Sequence, residues 1–568
     1  MEITLLKDVV TILILSLFVI LICHRIRIPA IVGFLLTGVI AGPHGLGLIN
    51  AINQVELLAE IGIVLLLFTI GIEFSLQNLF KVKRAVLLGG PIQVVFTILL
   101  AFSIAAWFKM PPQESIFIGF LISLSSTAIV MKLLQERAEI NSPHGLITLG
   151  ILIFQDIIVV PMMLFVPILA GVTDNIGKSI IIDAFIGIAI ISLVVLSAKW
   201  LVPQILYQVA QTKNRELFLL TVIAICIIVA WLTSNVGLSL ALGAFLAGLI
   251  ISESEYSHQA LSNILPFRDI FISFFFVSVG MLLDVNFCLN HMTQVLIITV
   301  SVIILKAIIA ASSCASLGFP FRTNMLVGLS LSQVGEFSFV LFKTGADHGL
   351  LNGDIYQYFL GVSILTMAAT PLIIQISHPT VDKLTLLPMP KWFKSGLYRA
   401  EEIKSRVGKK DHIIIIGFGV TGKHLAHIAK INQIPYVIIE INPRTVIQEK
   451  AKGESIYYGD AIHETVIEYA DIKDAKLIVI GVSDPNATSK IIQTIRRINS
   501  TVHIIARTRF EHEADKLYEL GASEVIIEEI ETSVEIFNRA MHIYTLPKDK
   551  IKEYISNIRV EHSQSNEE

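Results

Sequence analysis

The chain has 568 residues, 54% of them hydrophobic and only 16% charged. A soluble protein carries about 25% charged residues, so the composition excludes a purely soluble globule. The net charge of −3 and the lack of a basic stripe interleaved with aromatics exclude nucleic acid as a partner. Cys23, Cys226, Cys288 and Cys314 form no C-x-x-C pair, so neither a disulfide framework nor a zinc site is indicated, and no tightly bound metal is expected.

The small net charge hides a division. The sequence predicts a membrane domain over 1–380, a linker over 381–410, a globular domain over 411–545 and a tail over 546–568. Glu2 stands where a signal peptide has a basic start, so the first apolar stretch is read as a spanning helix. Apolar segments recur at 6–22, 29–46, 54–74, 85–108, 114–134, 146–169, 179–208, 216–234, 236–252, 265–283, 294–316, 322–346 and 355–376. They make about thirteen spans at roughly 20 residues each. The second and ninth are interrupted by Gly42-Pro43 and by Ser234-Asn235-Val236-Gly237. With the N-terminus outside, the inward loops hold Arg25, Arg27, Lys81, Lys83, Arg84, Lys132, Arg137, Lys213, Arg215, Arg268 and Arg322. The outward loops then hold little besides Lys109 and Lys178, a bias that sends the C-terminal domain to the cytoplasm.

The fifth and twelfth segments have polar interiors, Ser125-Ser126-Thr127 and Ser332-Gln333-Val334-Gly335-Glu336. Such clusters compete with helical hydrogen bonding, and paired breaks in two halves mark an inverted-repeat transporter with its ion site between them. Small-residue helix packing explains either cluster alone. The sixth segment carries Gln155-Asp156 at its middle. A charge at that depth costs at least about 2.5 kcal/mol and by default marks function, although a protonated or ion-paired structural carboxyl is the plainer alternative. Asp156 can hold a proton when neutral and a cation when charged, and Gln155 can add a neutral oxygen. Lys306 is a second charge near mid-span, suited to neutralise the ends of broken helices or to pair with a carboxylate.

Together the stretches Leu124–Ile129, Phe154-Gln155-Asp156, Val279-Gly280-Met281 and Gln333–Phe337 resemble the monovalent cation:proton antiporter-2 family, above all its Kef-type potassium/proton antiporters. The resemblance implies a polytopic α-helical membrane protein built of inverted repeats, with a six-helix core crossed by two unwound helices. It makes Asp156 the ion- and proton-binding carboxylate, with Gln155, Ser126, Thr127, Lys306, Gln333 and Glu336 around it. Electrogenic relatives carry two adjacent acids; Gln155 fills the first place here, which implies an electroneutral cycle. The acidic loop of glutathione-gated relatives is missing, since no acid lies between Glu255 and Asp269.

Pro388–Lys410 mixes basic and aromatic residues, as in Lys391-Trp392-Phe393-Lys394, and reads as an interfacial tether or a plain linker. After it, His412–Ile416 leads into Gly417-Phe418-Gly419-Val420-Thr421-Gly422, and a second strand ends on Glu440. An apolar strand, G-x-G-x-x-G opening a helix, and an acid at the end of the next strand form a dinucleotide fingerprint. An acid at that place favours NAD(H) or an adenine mononucleotide over a 2′-phosphate. Further strands are predicted at 455–458, 476–480, 502–505 and 524–527 in a parallel α/β Rossmann-like sheet. Gly459-Asp460-Ala461 and Ala506-Arg507 then lie at strand ends, where ligands of open sheets bind; Asp460 serves equally well as a helix N-cap.

The globular domain resembles the RCK (Trk-type) nucleotide-binding N-domain. That implies an adenine nucleotide, NAD(H) or AMP, held by Gly417, Gly419, Val420, Thr421, Gly422, Glu440, Asn442, Gly459, Asp460, Ala461 and Arg507. The resulting expectation is a non-enzymatic potassium/proton antiporter in a bacterial cytoplasmic membrane, regulated by that nucleotide. It would be dimeric through membrane and RCK domains, in contact with lipid, with room for an ancillary subunit. A sodium/proton antiporter and a nucleotide-gated potassium channel are the alternatives; against the channel, no T-V-G-Y-G-like filter is present.

Overall fold

The computed structural model describes residues 2–26, 28–49, 51–73, 82–137, 139–140, 142–171, 202–234, 240–252, 254–351, 353–386, 410–482, 484–509, 511–543 and 554. Most of the seventh expected span, nearly all of the basic-aromatic linker and most of the tail lie outside these residues. The chain forms two compact units. One comprises Met1–Met131, Ile147–Ser313 and Val327–Ser377; the other gathers Lys132–Leu146, Cys314–Leu326 and His378–Glu568.

Apolar runs of spanning length become helices because, away from water, a backbone must satisfy its own hydrogen bonds. In chain order the helices are α1 (Glu2–Arg25), α2 (Ala30–Ala41), α3 (Ile52–Glu73), α4 (Gly90–Trp107), α5 (Pro112–Ser123), α6 (Thr127–Glu136) and α7 (Pro143–Leu169). They continue with α8 (Val202–Gln211), α9 (Arg215–Ser234), α10 (Leu240–Ser252), α11 (Ser257–Met281), α12 (Val285–Asn290) and α13 (Met292–Ser316). The membrane segments end with α14 (Phe321–Ser330), α15 (Glu336–Asp347) and α16 (Asp354–Leu386). Among the described residues nine helical stretches are long and apolar enough to cross a membrane, and α2 and α10 are shorter apolar helices.

The fifth and twelfth expected spans are each broken. Leu124–Ser126 separates α5 from α6, and Leu331–Gly335 separates α14 from α15. Helices without such breaks pack through small residues, because apolar burial gives little drive between helices already in lipid. A Cβ on Gly38 would sit 2.0 Å from Val277 O, and one on Gly280 2.1 Å from Leu35 O, so α2 and α11 touch backbone to backbone. Gly71 and Gly248 do the same for α3 and α10. Leu17, Phe18 and Leu21 on α1 and Ile297, Ile304 and Ile308 on α13 are exposed, as lipid-facing side chains must be.

The second unit contains a six-stranded, wholly parallel sheet. Its strands are β1 (His412–Ile416), β2 (Tyr436–Glu440), β3 (Ile456–Tyr458), β4 (Ala475–Ile480), β5 (His503–Thr508) and β6 (Glu524–Ile527), in the order β3-β2-β1-β4-β5-β6. Helices α17 (Val420–Ile431), α18 (Pro443–Ala451), α19 (Glu464–Tyr469), α20 (Pro485–Ile498), α21 (Ala514–Glu519) and α22 (Glu528–Ile543) alternate with the strands. Every residue of β1 is buried, as a central parallel strand covered on both faces requires. Its period of two sends Ile414 and Ile416 into one core and Ile413 and Ile415 into the other. The order reverses between β1 and β4, which places the ligand crevice of an open sheet at their carboxyl ends.

Candidate functional site

The two breaks meet. The Gly335 N–H donates to Leu124 O at 3.1 Å, and the Ser125 hydroxyl donates to Leu331 O at 3.0 Å, so each break satisfies part of the other's backbone. A Cβ on Gly335 would lie 2.5 Å from Ser125 C and O; glycine alone allows the crossing. Lys306 on α13 is 1% exposed, and its Nζ donates to Ile122 O at 2.6 Å and Leu124 O at 2.7 Å. Its amino group thus faces the carbonyl end of α5, where the helix dipole is negative and last-turn carbonyls lack intrahelical donors. Of the two placements expected for Lys306, these contacts lie at the broken helix end.

Asp156 on α7 is half-buried, and the Thr127 hydroxyl at the start of α6 lies 3.0 and 3.1 Å from its two carboxylate oxygens. Glu336, at the start of α15, accepts the Ala128 N–H at 3.2 Å. Each carboxylate therefore reaches the N-terminal end of a half-helix, where unsatisfied N–H groups favour negative charge. Ser126 is fully buried, and its hydroxyl accepts the Ile129 N–H at 3.3 Å. Gln333 is fully buried inside the second break, and neither end of its amide has a protein partner among the described residues. Buried amides are seldom left so without a ligand or water to meet them.

Gln155 is engaged at both ends of its amide. Its Oε1 accepts the Ser125 N–H at 2.7 Å, and its Nε2 donates to Gln93 Oε1 at 2.7 Å. Gln93 in turn donates to Ser123 O at 3.1 Å. The pair of amides pins the first break. Gln93 and Thr366, whose hydroxyl accepts the Val334 N–H at 3.3 Å, escaped the sequence reading. The signal for Gln93 was a lone amide in the apolar run of α4.

The sheet bears out the fingerprint's geometry. Gly417 has φ +92°, a conformation that L side chains rarely adopt, and a Cβ on Gly422 would lie 2.1 Å from Gly417 O. Gly419 opens α17 and has nothing within 4 Å of its missing side chain, leaving backbone N–H groups at a helix start accessible to phosphate. Val420 and Thr421 are exposed beside it. Glu440 accepts from Phe418 N–H and Asn442 N–H, both at 2.7 Å, which holds its carboxylate at the lip of the crevice. Burial pushes this carboxyl above the usual range, while those backbone donors pull it down.

Gly459 N–H donates to Glu440 O at 3.0 Å, which brings the β3 turn alongside, with Ala461 buried behind it. Asp460 is not the N-cap of α19. That place belongs to His463, and the Asp460 carboxylate accepts the Ile462 N–H at 3.1 Å in a local turn. Arg507 Nη1 reaches Thr421 Oγ1 at 3.3 Å, and Arg507 Nε pairs with Glu528 at 2.7 Å, closing the β5 side. A cavity of about 630 Å³ lies there, lined by Thr421, Ala506, Arg507, Glu528 and Arg539 among others. That is within the usual volume of a small-molecule site.

Residues 12–377 match the sodium/hydrogen exchanger transmembrane family, and residues 413–528 match the TrkA-N domain. The chain belongs to the sodium/hydrogen exchanger family. It is 30% identical to the "Putative K(+) efflux antiporter KefB" of Alkalimonas amylolytica, over 96% of this chain and 82% of that protein. It is 31% identical to the "Putative cation/proton antiporter YbaL" of Escherichia coli K12, over 91% of this chain and 94% of that protein. The solved sodium proton antiporter MjNhaP1 of Methanocaldococcus jannaschii shares the fold, with a TM-score of 0.50 at 17% identity over 68% of this chain and 99% of that one. The protein is thus a Kef-type cation/proton antiporter with a TrkA-N domain, a multi-pass membrane transporter and not an enzyme.

Two substitutions test the crossing in this antiporter. Lys306→Met strands the Ile122 carbonyl, at about 1–3 kcal/mol, and leaves Leu124 O with the Gly335 N–H alone; relief of the lysine's own desolvation offsets only part of that. The apparent Tm in detergent, read by a thermal-shift assay, falls by several degrees. Gly335→Ala forces the two breaks apart; exchange in proteoliposomes is lost while the purified TrkA-N region keeps its circular dichroism.

Proposed function

We propose that the antiporter moves potassium outward against protons through Asp156 and is regulated by an adenine nucleotide in the TrkA-N crevice. The observation that carries the first part is the pairing of half-buried Asp156 with Thr127 at the head of α6, beside the crossing of the two breaks. An ionised Asp156 attracts one monovalent cation, and a protonated Asp156 releases it. Thr127 keeps the carboxylate oriented in both states by donating to the charged form and accepting from the neutral one. One carboxyl that alternates between one proton and one cation gives an electroneutral cycle, in keeping with Gln155 beside it being neutral and already engaged.

Lys306 holds the crossing together when the site empties, because its charge answers the end of α5 instead of the transported ion. Gln333, with both ends of its amide unpartnered, is the neutral donor–acceptor best suited to a partly dehydrated cation or its water. Exposure of the site to either side in turn needs two conformations whose relative populations the cation and proton shift. The distribution of basic residues argues for an N-terminus outside and a TrkA-N domain in the cytoplasm of a bacterial inner membrane.

The nucleotide reading rests on positive-φ Gly417, open Gly419 and the fixed Glu440 carboxylate. Glu440 at the lip of the crevice accepts from ribose hydroxyls and repels a 2′-phosphate, which favours NAD(H) or AMP.

Asp156→Asn abolishes cation-driven proton flux in proteoliposomes, with the protein inserted and monodisperse; wild-type flux in the variant defeats the assignment. Running the same assay with potassium, sodium and rubidium ranks the ions, and potassium is expected first. Gly419→Asp puts a carboxylate where phosphate belongs and weakens NADH or AMP binding by at least about 100-fold in calorimetry, with basal exchange retained; unchanged affinity rules out the crevice.

A further inference from the structure

The second unit contains a buried charge cluster that neither the ion site nor the crevice uses. Arg322, the second residue of α14, is 9% exposed. Its Nε lies 3.3 Å from Asp382 Oδ1 on the C-terminal part of α16, and its Nη1 lies 3.3 Å from Asp484 Oδ2. Its Nη2 lies 3.2 Å from His378 Nδ1. His378 Nε2 in turn meets Glu139 Oε1 at 3.1 Å, and Glu139 Oε2 meets His144 Nε2 at 3.1 Å. Asp382 also pairs with Lys490 on α20.

Glu139, His144 and His378 bring ligand atoms within 4.8 Å of one another, which raises the question of a metal. The donor set does not fit one. A guanidinium only donates, so His378 Nδ1 accepts from Arg322, and the ring proton sits on Nε2 facing Glu139. A metal on Nε2 requires that proton on Nδ1, against the guanidinium.

What the cluster joins is more telling. Glu139 lies in the short connection between α6, whose first residue is Thr127, and α7, which carries Asp156. Arg322 begins α14, which ends at the second break, and His378 and Asp382 lie on α16. Asp484 belongs to the nucleotide-binding region. It caps α20, accepting from Asn486 N–H at 2.9 Å and Ala487 N–H at 3.1 Å, and it stands four residues past the end of β4. The Gly481 N–H at that strand end donates to Ile416 O at 2.9 Å, so this segment flanks the β1–β4 crevice directly. Burial raises the Asp484 carboxyl, but the Arg322 charge together with His144 and His378 holds it below the usual range. Its partner is therefore ionised across the working range of pH.

We propose that Arg322 is a positioning residue: by binding Asp484 it ties the β4–α20 corner of the nucleotide crevice to the chain ends of α6, α7, α14 and α16, so that nucleotide occupancy resets the elements bearing the ion site. A shift of the β4–α20 corner on nucleotide binding alters the hold of Asp484 on the guanidinium. The pull reaches α14 directly and the Glu139 connection through His378. Arg322 does not touch the transported ion, so its loss removes the response and spares the exchange itself. This inference rests on the regulatory reading above.

The test uses full-length protein in proteoliposomes. Asp484→Asn keeps a good N-cap and removes the charge that faces Arg322. The wild type is expected to change its exchange rate by at least about 5-fold between no nucleotide and saturating NADH or AMP, the lower end of ordinary allosteric coupling. D484N is expected to bind nucleotide with unchanged affinity in calorimetry and to exchange ions with less than about 2-fold response. Arg322→Gln is expected to do the same, and Arg322→Lys, which keeps the charge without the fork, to recover part of the response. A responsive wild type with an equally responsive D484N overturns this inference and leaves nucleotide control standing. Loss of nucleotide binding in D484N also overturns it, because Asp484 would then belong to the crevice. A wild type indifferent to both nucleotides overturns the regulatory reading and this inference with it.

Discussion

The membrane unit depends on a lysine amino group placed where two helices fail. Interrupting a helix inside a membrane strands carbonyls and N–H groups at several kcal/mol apiece unless something within the protein meets them. Lys306 meets the carbonyls of Ile122 and Leu124, Gln93 meets that of Ser123, and the second break supplies Gly335 N–H to Leu124. Only with that accounting complete can α6 and α15 start at mid-depth with their positive ends turned towards carboxylates. Carboxylates are tolerated there because Lys306 already meets the carbonyls at the opposite end.

The division of labour between the two adjacent polar residues follows from the same constraint. Gln155 and Asp156 point in different directions along α7, one into the protein interior and one to a half-open position. The amide is committed to Ser125 and Gln93, and the carboxylate meets the Thr127 hydroxyl. A neighbouring acid in place of Gln155 would have to bury a second charge against a backbone N–H and an amide. The neutral residue keeps the break closed at no electrostatic cost.

Much of this was legible in the sequence. Asp156, Lys306 and the two polar clusters stand out because a polar group in an apolar run has few structural excuses, and β1, β2 and β6 fall where their short apolar runs and turn residues put them. What composition could not convey was partnership. Gln155 is a strut because Ser125 and Gln93 happen to surround it, and neither contact leaves a trace in local spacing. Asp460 was balanced between a cap and a crevice residue because both uses need the same residue type at the same place, and only the backbone of α19 separates them. The cluster around Arg322 was invisible for a related reason. Its members are 162 residues apart at the pair that matters, Arg322 with Asp484, and each alone reads as an ordinary loop charge.

The contact at Gly335 has a bearing on how this protein can change over time. The atoms that exclude a side chain there are the carbonyl carbon and oxygen of Ser125, which every amino acid possesses. Shrinking the neighbour therefore cannot restore room, as it can where two side chains collide. No compensating substitution at residue 125 is available, and the position has no neutral path to another residue. A genetic screen for suppressors of a Gly335 lesion should return reversion to glycine or shifts of whole helices, not repairs at the point of contact.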